Sequence, residues 1–301
     1  MACLRASKDI IDSSTYSAGL VDNHLKTPEK YQSHPYLMEN LEESIRLELK
    51  TDPEVVRKQA KWCGLKSGLR VLDVGCGPGK TSATLHEMIQ PDGELLGLDF
   101  SEERIEYAKK HYDGKPGIHF QVHDFTAPLD GLGQFDLIWV RFFLEYFRSE
   151  SFEIVRNLTD CLKPGGHLCL MDLDNNCLSH YKLPSKLERA LSDIMGLLEE
   201  KYDFDPYAGR KLYSYLYDLG YEEIQLDLVA HHLIYGKMGD VDAYNWVKKV
   251  EVAFMRVREI FEHYPGGYAG FHSDFMRFFK DPKRFTYTPL ILCKGMKPLL
   301  V

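Results

Sequence analysis

The sequence lacks the marks of a secreted, membrane-spanning or nucleic-acid-binding protein. No stretch of roughly 18 uncharged apolar residues could span a bilayer, and the first residues, MACLRASKDIIDSS, have no apolar core of a signal peptide. The seven cysteines are an odd number without a CxxC pair, which argues against a disulfide framework. The formal charge of -8 repels phosphate backbones and anionic lipid. We therefore expect a cytoplasmic protein with a small-molecule partner, and neither nucleic acid nor membrane. The oligomeric state stays open.

Short apolar runs alternate with amphipathic helical patterns from residue 70 to residue 175, which is typical of a parallel sheet covered on both faces. The sequence therefore predicts an α/β fold with a doubly wound, seven-stranded, mostly parallel sheet. The predicted strands are 70–74, 94–100, 118–125, 135–140, 167–173, 222–235 and 284–296, and the helices within the first part are 80–89, 101–111 and 151–162.

Helical segments precede and interrupt this alternating pattern. Residues 1–64 are predicted to hold a polar flap and two cap helices, and residues 65–301 to form the main domain. The helical insertions 177–204 and 239–283 are expected to form a lid over a substrate, because specificity usually lies in such additions to a fold. We also predict single helices over 205–219 and 241–263.

The stretch VLDVGCGPGKT, residues 71–81, is typical of a ligand-binding turn. A phosphate loop of the Walker type has four residues between its first glycine and its Gly-Lys pair, whereas three residues separate Gly75 from Gly79 here. A dinucleotide fingerprint reads G-x-G-x-x-G, and this loop reads G-x-G-x-G. Asp73 adds a negative charge that repels phosphate and attracts an ammonium or sulfonium group. The loop therefore favours a cation, with Lys80 in the first turn of a helix and pointing to solvent.

Two more acids stand at the ends of the next predicted strands. Asp99 lies where a carboxylate accepts hydrogen bonds from ribose hydroxyls. Asp124 can accept from an adenine amino group, and Phe125 can cover the ring. Acids at three successive strand ends, with no lysine placed for phosphate, describe a cationic nucleoside, and S-adenosylmethionine fits.

Five motifs in this order resemble the class I S-adenosylmethionine-dependent methyltransferases, in their small-molecule branch. They are DxGxGxG at 73–79, GxDxS at 97–101, the aspartate at 124, FDLI at 135–138 and LKPGGHL at 162–168. The resemblance implies a Rossmann-like methyltransferase domain that converts S-adenosylmethionine to S-adenosylhomocysteine. It also implies the cofactor-binding residues, namely Arg46 over the cofactor carboxylate and Asp73, Gly75, Cys76, Gly77, Gly79, Asp99, Phe100, Asp124, Phe125 and Arg141.

The segment after the fourth predicted strand holds the candidates for the chemistry. By the resemblance this segment passes along the sulfonium, which makes Arg141, Glu145 and Tyr146 the candidate catalytic residues. Many similar enzymes have a histidine where Tyr146 stands, so the general base stays unassigned, and Arg210 is a further candidate. Two alternatives stay open: a non-catalytic S-adenosylmethionine-binding subunit, and a transferase of another sulfonium substituent.

We expect no metal site. The polar run after the fifth strand resembles the divalent-ion ligands of catechol-type methyltransferases, but Arg141 stands where those enzymes need another acid. This run is Asp172, Asp174, Asn175 and Asn176. His231 and His232 lack a third ligand. The Asn-Pro-Pro-Tyr sequence of base methylation and a Pro-Cys nucleophile are both absent, which argues against nucleic-acid acceptors.

Overall fold

The computed structural model describes residues 43–125, 127 and 129–299, all within the unit Tyr36–Val301. The predicted flap and the beginning of the first predicted helix lie outside these residues. The boundary between cap and main domain at residues 64 and 65 therefore stays a prediction.

Two helices precede the sheet, α1 at Glu43–Lys50 and α2 at Pro53–Cys63. Asp52 caps α2 by accepting the Glu54 N–H at 2.9 Å, because a carboxylate satisfies an N–H that has no partner within the helix. Gly64 ends the same helix with a φ of 89°, a left-handed conformation that glycine adopts without steric cost.

Eight strands form one mixed sheet in the described part of the chain. They are β1 Arg70–Val74, β2 Glu94–Asp99, β3 Ile118–Val122, β4 Phe135–Arg141, β5 Leu162–Leu173, β6 His180–Tyr181, β7 Glu222–Tyr235 and β8 Phe285–Met296. The order β3-β2-β1-β4-β5 is parallel throughout, and β8 runs antiparallel to β5 and to β7. The doubly wound, mostly parallel sheet is confirmed. The predicted count of seven omits β6, whose two residues pair with the beginning of β8.

Helices cover both faces of the sheet. These helices are α3 Lys80–Ile89, α4 Glu102–Tyr112 and α5 Ser151–Asp160. Alternate residues of β1 and β4 enter opposite cores, as the two-residue period of a strand requires. Leu72 and Ile138 pack with α5, whereas Val71 and Trp139 pack with α2 and α3. The carboxyl ends of the parallel strands therefore stand at one edge of a rigid sheet, where ligands bind in such folds.

The helical additions build a third core of their own. These helices are α6 Ser185–Tyr202, α8 Asp240–Arg256, α9 Arg258–Glu262 and α10 Gly267–Lys280, with α7 Leu212–Asp218 packed on the sheet. Trp246 of α8 packs against Phe275 and Phe279 of α10 at ring distances of 6.0 and 4.7 Å. The two predicted insertions thus share one aromatic core.

Two predicted helices are wrong in detail. The helix predicted over 241–263 breaks at Val257, where φ is -131° and the side chain is fully buried; neither glycine nor proline signals this break. The helix predicted over 205–219 begins as a 3-10 turn at Ala208–Lys211, before α7. There Asp205 accepts the Tyr207 N–H and binds the Lys211 ammonium, which stabilises a turn in place of a regular helix start.

Every helix within the described ranges is too short or too polar to span a lipid bilayer. The six cysteines that the structure describes are free and buried.

Candidate active site

The glycine loop between β1 and α3 is a tight turn. Gly75, Gly77 and Gly79 have φ of 70°, 56° and 94°, in the left-handed region. A Cβ atom at Gly75 would stand 2.6 Å from Cδ2 of Phe143, and one at Gly79 would stand 2.9 Å from Cβ of Ala108. The loop backbone therefore approaches the chain after β4 more closely than any larger residue would permit.

Asp99, at the end of β2, ties this loop in place. Its carboxylate accepts the Gly77 N–H at 2.8 Å and the Ser101 N–H at 3.0 Å, and it forms an ion pair with Arg104 at 3.2 Å. Both charged side chains are buried. A carboxylate offers about four lone-pair sites, so Asp99 retains capacity to accept a ligand hydroxyl.

Asp73 lies behind the loop, buried next to α3. Its Oδ2 accepts the Ser82 hydroxyl at 2.6 Å. Burial raises the pKa of Asp73 to about 7, against the opposing influence of the Ser82 hydrogen bond and of Arg141. The residue was predicted to line the methionine part of the cofactor; it is bound to α3 and is not in the walls of the cavity above the loop, so that contact stays a prediction.

Replacing Asp73 with asparagine should change the pH dependence of stability. The folded-state pKa of about 7 exceeds the ordinary value of 3.8, so the folded protein binds more protons than the unfolded chain between these values. The free energy of unfolding therefore falls as pH rises through this range. Asparagine still accepts the Ser82 hydroxyl but does not titrate. The free energy of unfolding of Asp73→Asn, minus that of the wild type, should be larger near pH 8 than near pH 4 by up to about 4 kcal/mol. Urea unfolding at both pH values measures it. If the variant and the wild type differ in free energy of unfolding by the same amount at both pH values, the raised pKa of Asp73 is contradicted.

A cavity of about 660 Å³ opens above the loop. Its walls include six of the predicted cofactor residues: Gly75, Cys76, Gly77, Asp99, Phe100 and Arg141. Aromatic rings that follow β4 form a further wall: Phe142, Phe143, Tyr146 and Phe147. Gly79, Asp124 and Phe125 are not in these walls. Phe125 packs behind Phe143 at a ring distance of 4.7 Å, and Asp124 is exposed, so their contact with an adenine stays a prediction.

Arg46 does not reach this cavity, contrary to expectation. Its guanidinium is buried and engages both oxygens of Glu43 at 2.7 Å. Arg141 lines the cavity instead, near Asp73 and Asp172, and its buried Nε has no hydrogen-bond partner among the described residues. Burial lowers the pKa of Arg141 to about 10, although both acids oppose the shift. Arg141 is therefore the better placed cation for a cofactor carboxylate.

Lys80 also differs from its prediction, because it does not point to solvent. Its Nζ donates to the main-chain oxygen of Glu48 at 2.5 Å, and the residue lines the cavity. The Glu48 carboxylate accepts the Tyr112 hydroxyl at 2.8 Å. Helix α1 is thus tied to α3 and α4 through Glu48, and one of the three donors of the Lys80 ammonium is used in this contact.

Asp172, at the end of β5, holds the turn that carries the candidate catalytic residues. Its Oδ2 accepts the N–H groups of Phe143 and Glu145 at 3.3 and 3.2 Å, and its Oδ1 accepts that of Leu173 at 2.9 Å. Burial, with Glu145 nearby, raises the pKa of Asp172 well above its usual range. Across the described ranges, no three His, Cys, Asp or Glu side chains are grouped to hold a metal ion.

A second cavity of about 600 Å³ shares Tyr146 with the first. Its walls come from α1, the turn after β4, the end of β5, α6 and α8: Arg46, Lys50, Glu145, Tyr146, Leu173, Asn176, Cys177, Met195, Leu198, Phe204, Lys249, Val252 and Ala253. Glu145 is buried there and accepts from Asn176 Nδ2 at 2.9 Å; burial raises its pKa, while Lys50 and Lys249 oppose the shift. Arg210, the further candidate, is exposed and pairs with Asp174.

Comparison with known proteins finds a family match for part of the chain. A family described as a methyltransferase domain matches residues 71–166. The demethylmenaquinone methyltransferase of Lactococcus lactis subsp. lactis is 31% identical over 128 residues, which are 42% of this chain and 50% of that protein. The tRNA N(3)-methylcytidine methyltransferase of Schizosaccharomyces pombe is 35% identical over 114 residues, 36% of this chain and 45% of that protein. This chain thus spans about half the length of these relatives.

A solved structure extends the likeness of the fold beyond that segment. Phosphoethanolamine N-methyltransferase 2 of Haemonchus contortus, in complex with S-adenosyl-L-methionine, superposes with a TM-score of 0.53 at 13% identity, over 88% of this chain and 60% of that one. The fold is an α/β domain with a cavity at the carboxyl ends of its parallel strands. Within that fold, residues 71–166 match the methyltransferase domain family and are similar to the methyltransferases named above.

Proposed function

We propose that this protein transfers a methyl group from S-adenosylmethionine to a small-molecule acceptor. The first cavity would hold the cofactor and the second the acceptor. The observation that carries the proposal is the shared wall: Tyr146 lines both cavities, so a group transferred between their ligands passes beside it.

The residues of the first cavity fit this cofactor. Asp99 retains acceptor capacity for ribose hydroxyls. The Nε of Arg141 lacks a partner among the described residues and suits a carboxylate. A nucleoside triphosphate would need the Lys80 ammonium to bind its phosphates, but that ammonium donates to the Glu48 carbonyl. The donor set therefore favours a ribose and an amino-acid end over a chain of phosphates.

The chain contributes mainly alignment and exclusion of water. When bound, S-adenosylmethionine supplies a methyl group that its sulfonium already activates, so the acceptor's lone pair forms the new bond while the carbon–sulfur bond breaks and its electrons stay on sulfur. Phe143 and Tyr146 line the cavity and would present ring surface beside the transferred group. Where the acceptor carries a proton, the buried carboxylate of Glu145, which lines the second cavity, would accept it.

A small molecule is the acceptor class that charge and shape support best. The relatives act, by name, on a quinone precursor in one case and on tRNA in the other. The net charge of -8 disfavours RNA. The second cavity also draws its walls from α6 and α8, the helices predicted to form a lid, which suits a ligand buried between side chains.

The acceptor class is tested by following the methyl group. Methyl-labelled S-adenosylmethionine is incubated with the protein and, separately, with a small-molecule extract and with total RNA. We expect label in the small-molecule fraction alone. Label in RNA would overturn the acceptor class, and cofactor binding without any labelled product would favour the non-catalytic alternative.

A further inference from the structure

The second cavity is basic although the protein is acidic. Three cations, Arg46, Lys50 and Lys249, line it against a single carboxylate, Glu145, whereas the chain as a whole has 45 acidic and 37 basic residues. Glu43 neutralises Arg46 through contacts of 2.7 Å. The two lysines then exceed Glu145 by one positive charge. The local charge therefore has the opposite sign to that of the whole protein.

Neither lysine has an ion pair with a described residue. The Lys50 ammonium lies over the Phe142 ring, 4.9 Å from its centre. Lys249 donates to Cys177 Sγ at 3.5 Å and lies over the Trp246 ring at 4.9 Å. Aromatic rings and a cysteine sulfur are weak acceptors, so most of the three N–H donors of each ammonium stay unused.

The proximity of the two lysines is unfavourable in itself. Burial lowers the pKa of Lys50 well below its usual range, and the nearby Arg46 and Lys249 lower it further, while Glu145 opposes them. Holding like charges together in a partly buried cavity destabilises the fold unless a ligand compensates them. Charged groups held in this way are typical of a binding site.

The rest of the cavity is apolar. Met195 and Leu198 come from α6 and Phe204 follows it, and these side chains offer a hydrophobic wall beside the lysines. A ligand that matches this surface has one anionic end and one apolar part.

Resting on the proposed function, we propose that the methyl acceptor carries an oxyanion, a carboxylate or a phosphate monoester, which Lys50 and Lys249 bind together. Its apolar part packs against Met195, Leu198 and Phe204, and its nucleophilic atom faces Tyr146. Acceptors that carry only a positive charge are excluded, because two ammonium groups repel them more strongly than Glu145 attracts them.

The test measures charge preference on one skeleton. Benzoate, phenyl phosphate, benzamide and benzylamine are titrated calorimetrically into the wild type in the presence of S-adenosylhomocysteine. At least one anion should bind about tenfold or more tightly than benzamide, because hydrogen bonds between charged groups are stronger than neutral ones. Benzoate and phenyl phosphate distinguish the two kinds of oxyanion. If benzamide or benzylamine binds as tightly as both anions, or neither anion binds, the proposal is overturned.

Two variants and a matched control locate the effect. Lys50→Met and Lys249→Met should each reduce the preference for the anion, and the double variant should abolish it, with unchanged affinity for S-adenosylhomocysteine. Lys248→Met, on the same helix, removes a lysine that pairs with Glu251 at 3.0 Å outside the cavity walls, and should keep the preference.

The outcomes separate this proposal from the proposed function. If Lys50→Met loses affinity for S-adenosylhomocysteine, Lys50 serves the cofactor and the proposal is overturned. A wild type that does not bind S-adenosylhomocysteine refutes the proposed function, and the same titrations without that ligand still decide the charge preference.

Discussion

Asp99→Ala should weaken binding of S-adenosylhomocysteine by at least about a hundredfold. Two hydrogen bonds from ribose hydroxyls to a charged acceptor contribute about 1.5 to 3 kcal/mol each, and both are lost. The substitution also frees the Gly77 N–H, which Asp99 now accepts at 2.8 Å, so the glycine loop loses its tie to β2. Calorimetry gives the affinity, and circular dichroism shows whether the variant is folded at the same temperature.

Glu102→Ala is the matched control for Asp99→Ala. Glu102 is an exposed acid in the first turn of α4 and is not in the cavity walls, so its removal changes the net charge equally near the site. The affinity of Glu102→Ala for S-adenosylhomocysteine should stay within about twofold of the wild type, because solvent and salt screen the effect of a surface charge. A folded Asp99→Ala variant with wild-type affinity would show that the ribose does not bind at the end of β2.

Asp172→Ala should reduce the free energy of unfolding by about 3 kcal/mol or more. Its carboxylate accepts the N–H groups of Phe143, Glu145 and Leu173, and each buried N–H left without a partner costs about 1 to 3 kcal/mol. The same turn positions Tyr146 between the cavities, so affinity for the cofactor should fall as well. Urea unfolding measures the stability change, which is a shift of the midpoint while the slope of the free energy of unfolding against urea concentration stays the same.

Asp174→Ala controls for the loss of an acid from the same segment. Asp174 pairs with Arg210, whose side chain is 56% exposed, and exposed ion pairs contribute little. The free energy of unfolding of Asp174→Ala should stay within about 1 kcal/mol of that of the wild type. If Asp172→Ala and Asp174→Ala lose the same free energy of unfolding, the hydrogen bonds of Asp172 do not stabilise the turn.

The residues that the sequence placed correctly are those fixed by local rules. The glycine spacing predicts a tight turn because glycine adopts, without steric cost, the left-handed conformations found at Gly75, Gly77 and Gly79. Asp99 follows from its position at the end of a buried strand beside that turn. The near-continuous apolar runs of β1 and β4 predict coverage on both faces. Each of these signals spans only a few residues, so the sequence alone carries it.

The features that escaped prediction depend on residues far apart in the sequence. Arg46 is the exception, because its partner Glu43 lies three residues earlier on the same helix, a spacing at which opposite charges pair. Lys50 and Lys249 meet in one cavity although they belong to helices at opposite ends of the chain. Asp172 belongs to a polar run for which the sequence predicts no metal and no other role, and the register of β4 on β5 brings it to the Phe143 and Glu145 amides.

Calorimetric titration of the wild type with S-adenosylmethionine, S-adenosylhomocysteine, ATP and NAD tests the central claim most directly. We predict that the first two bind and the last two do not, because the loop lacks phosphate geometry and Lys80 is engaged by Glu48. Tight binding of ATP or NAD, with no binding of S-adenosylmethionine or S-adenosylhomocysteine, would contradict it.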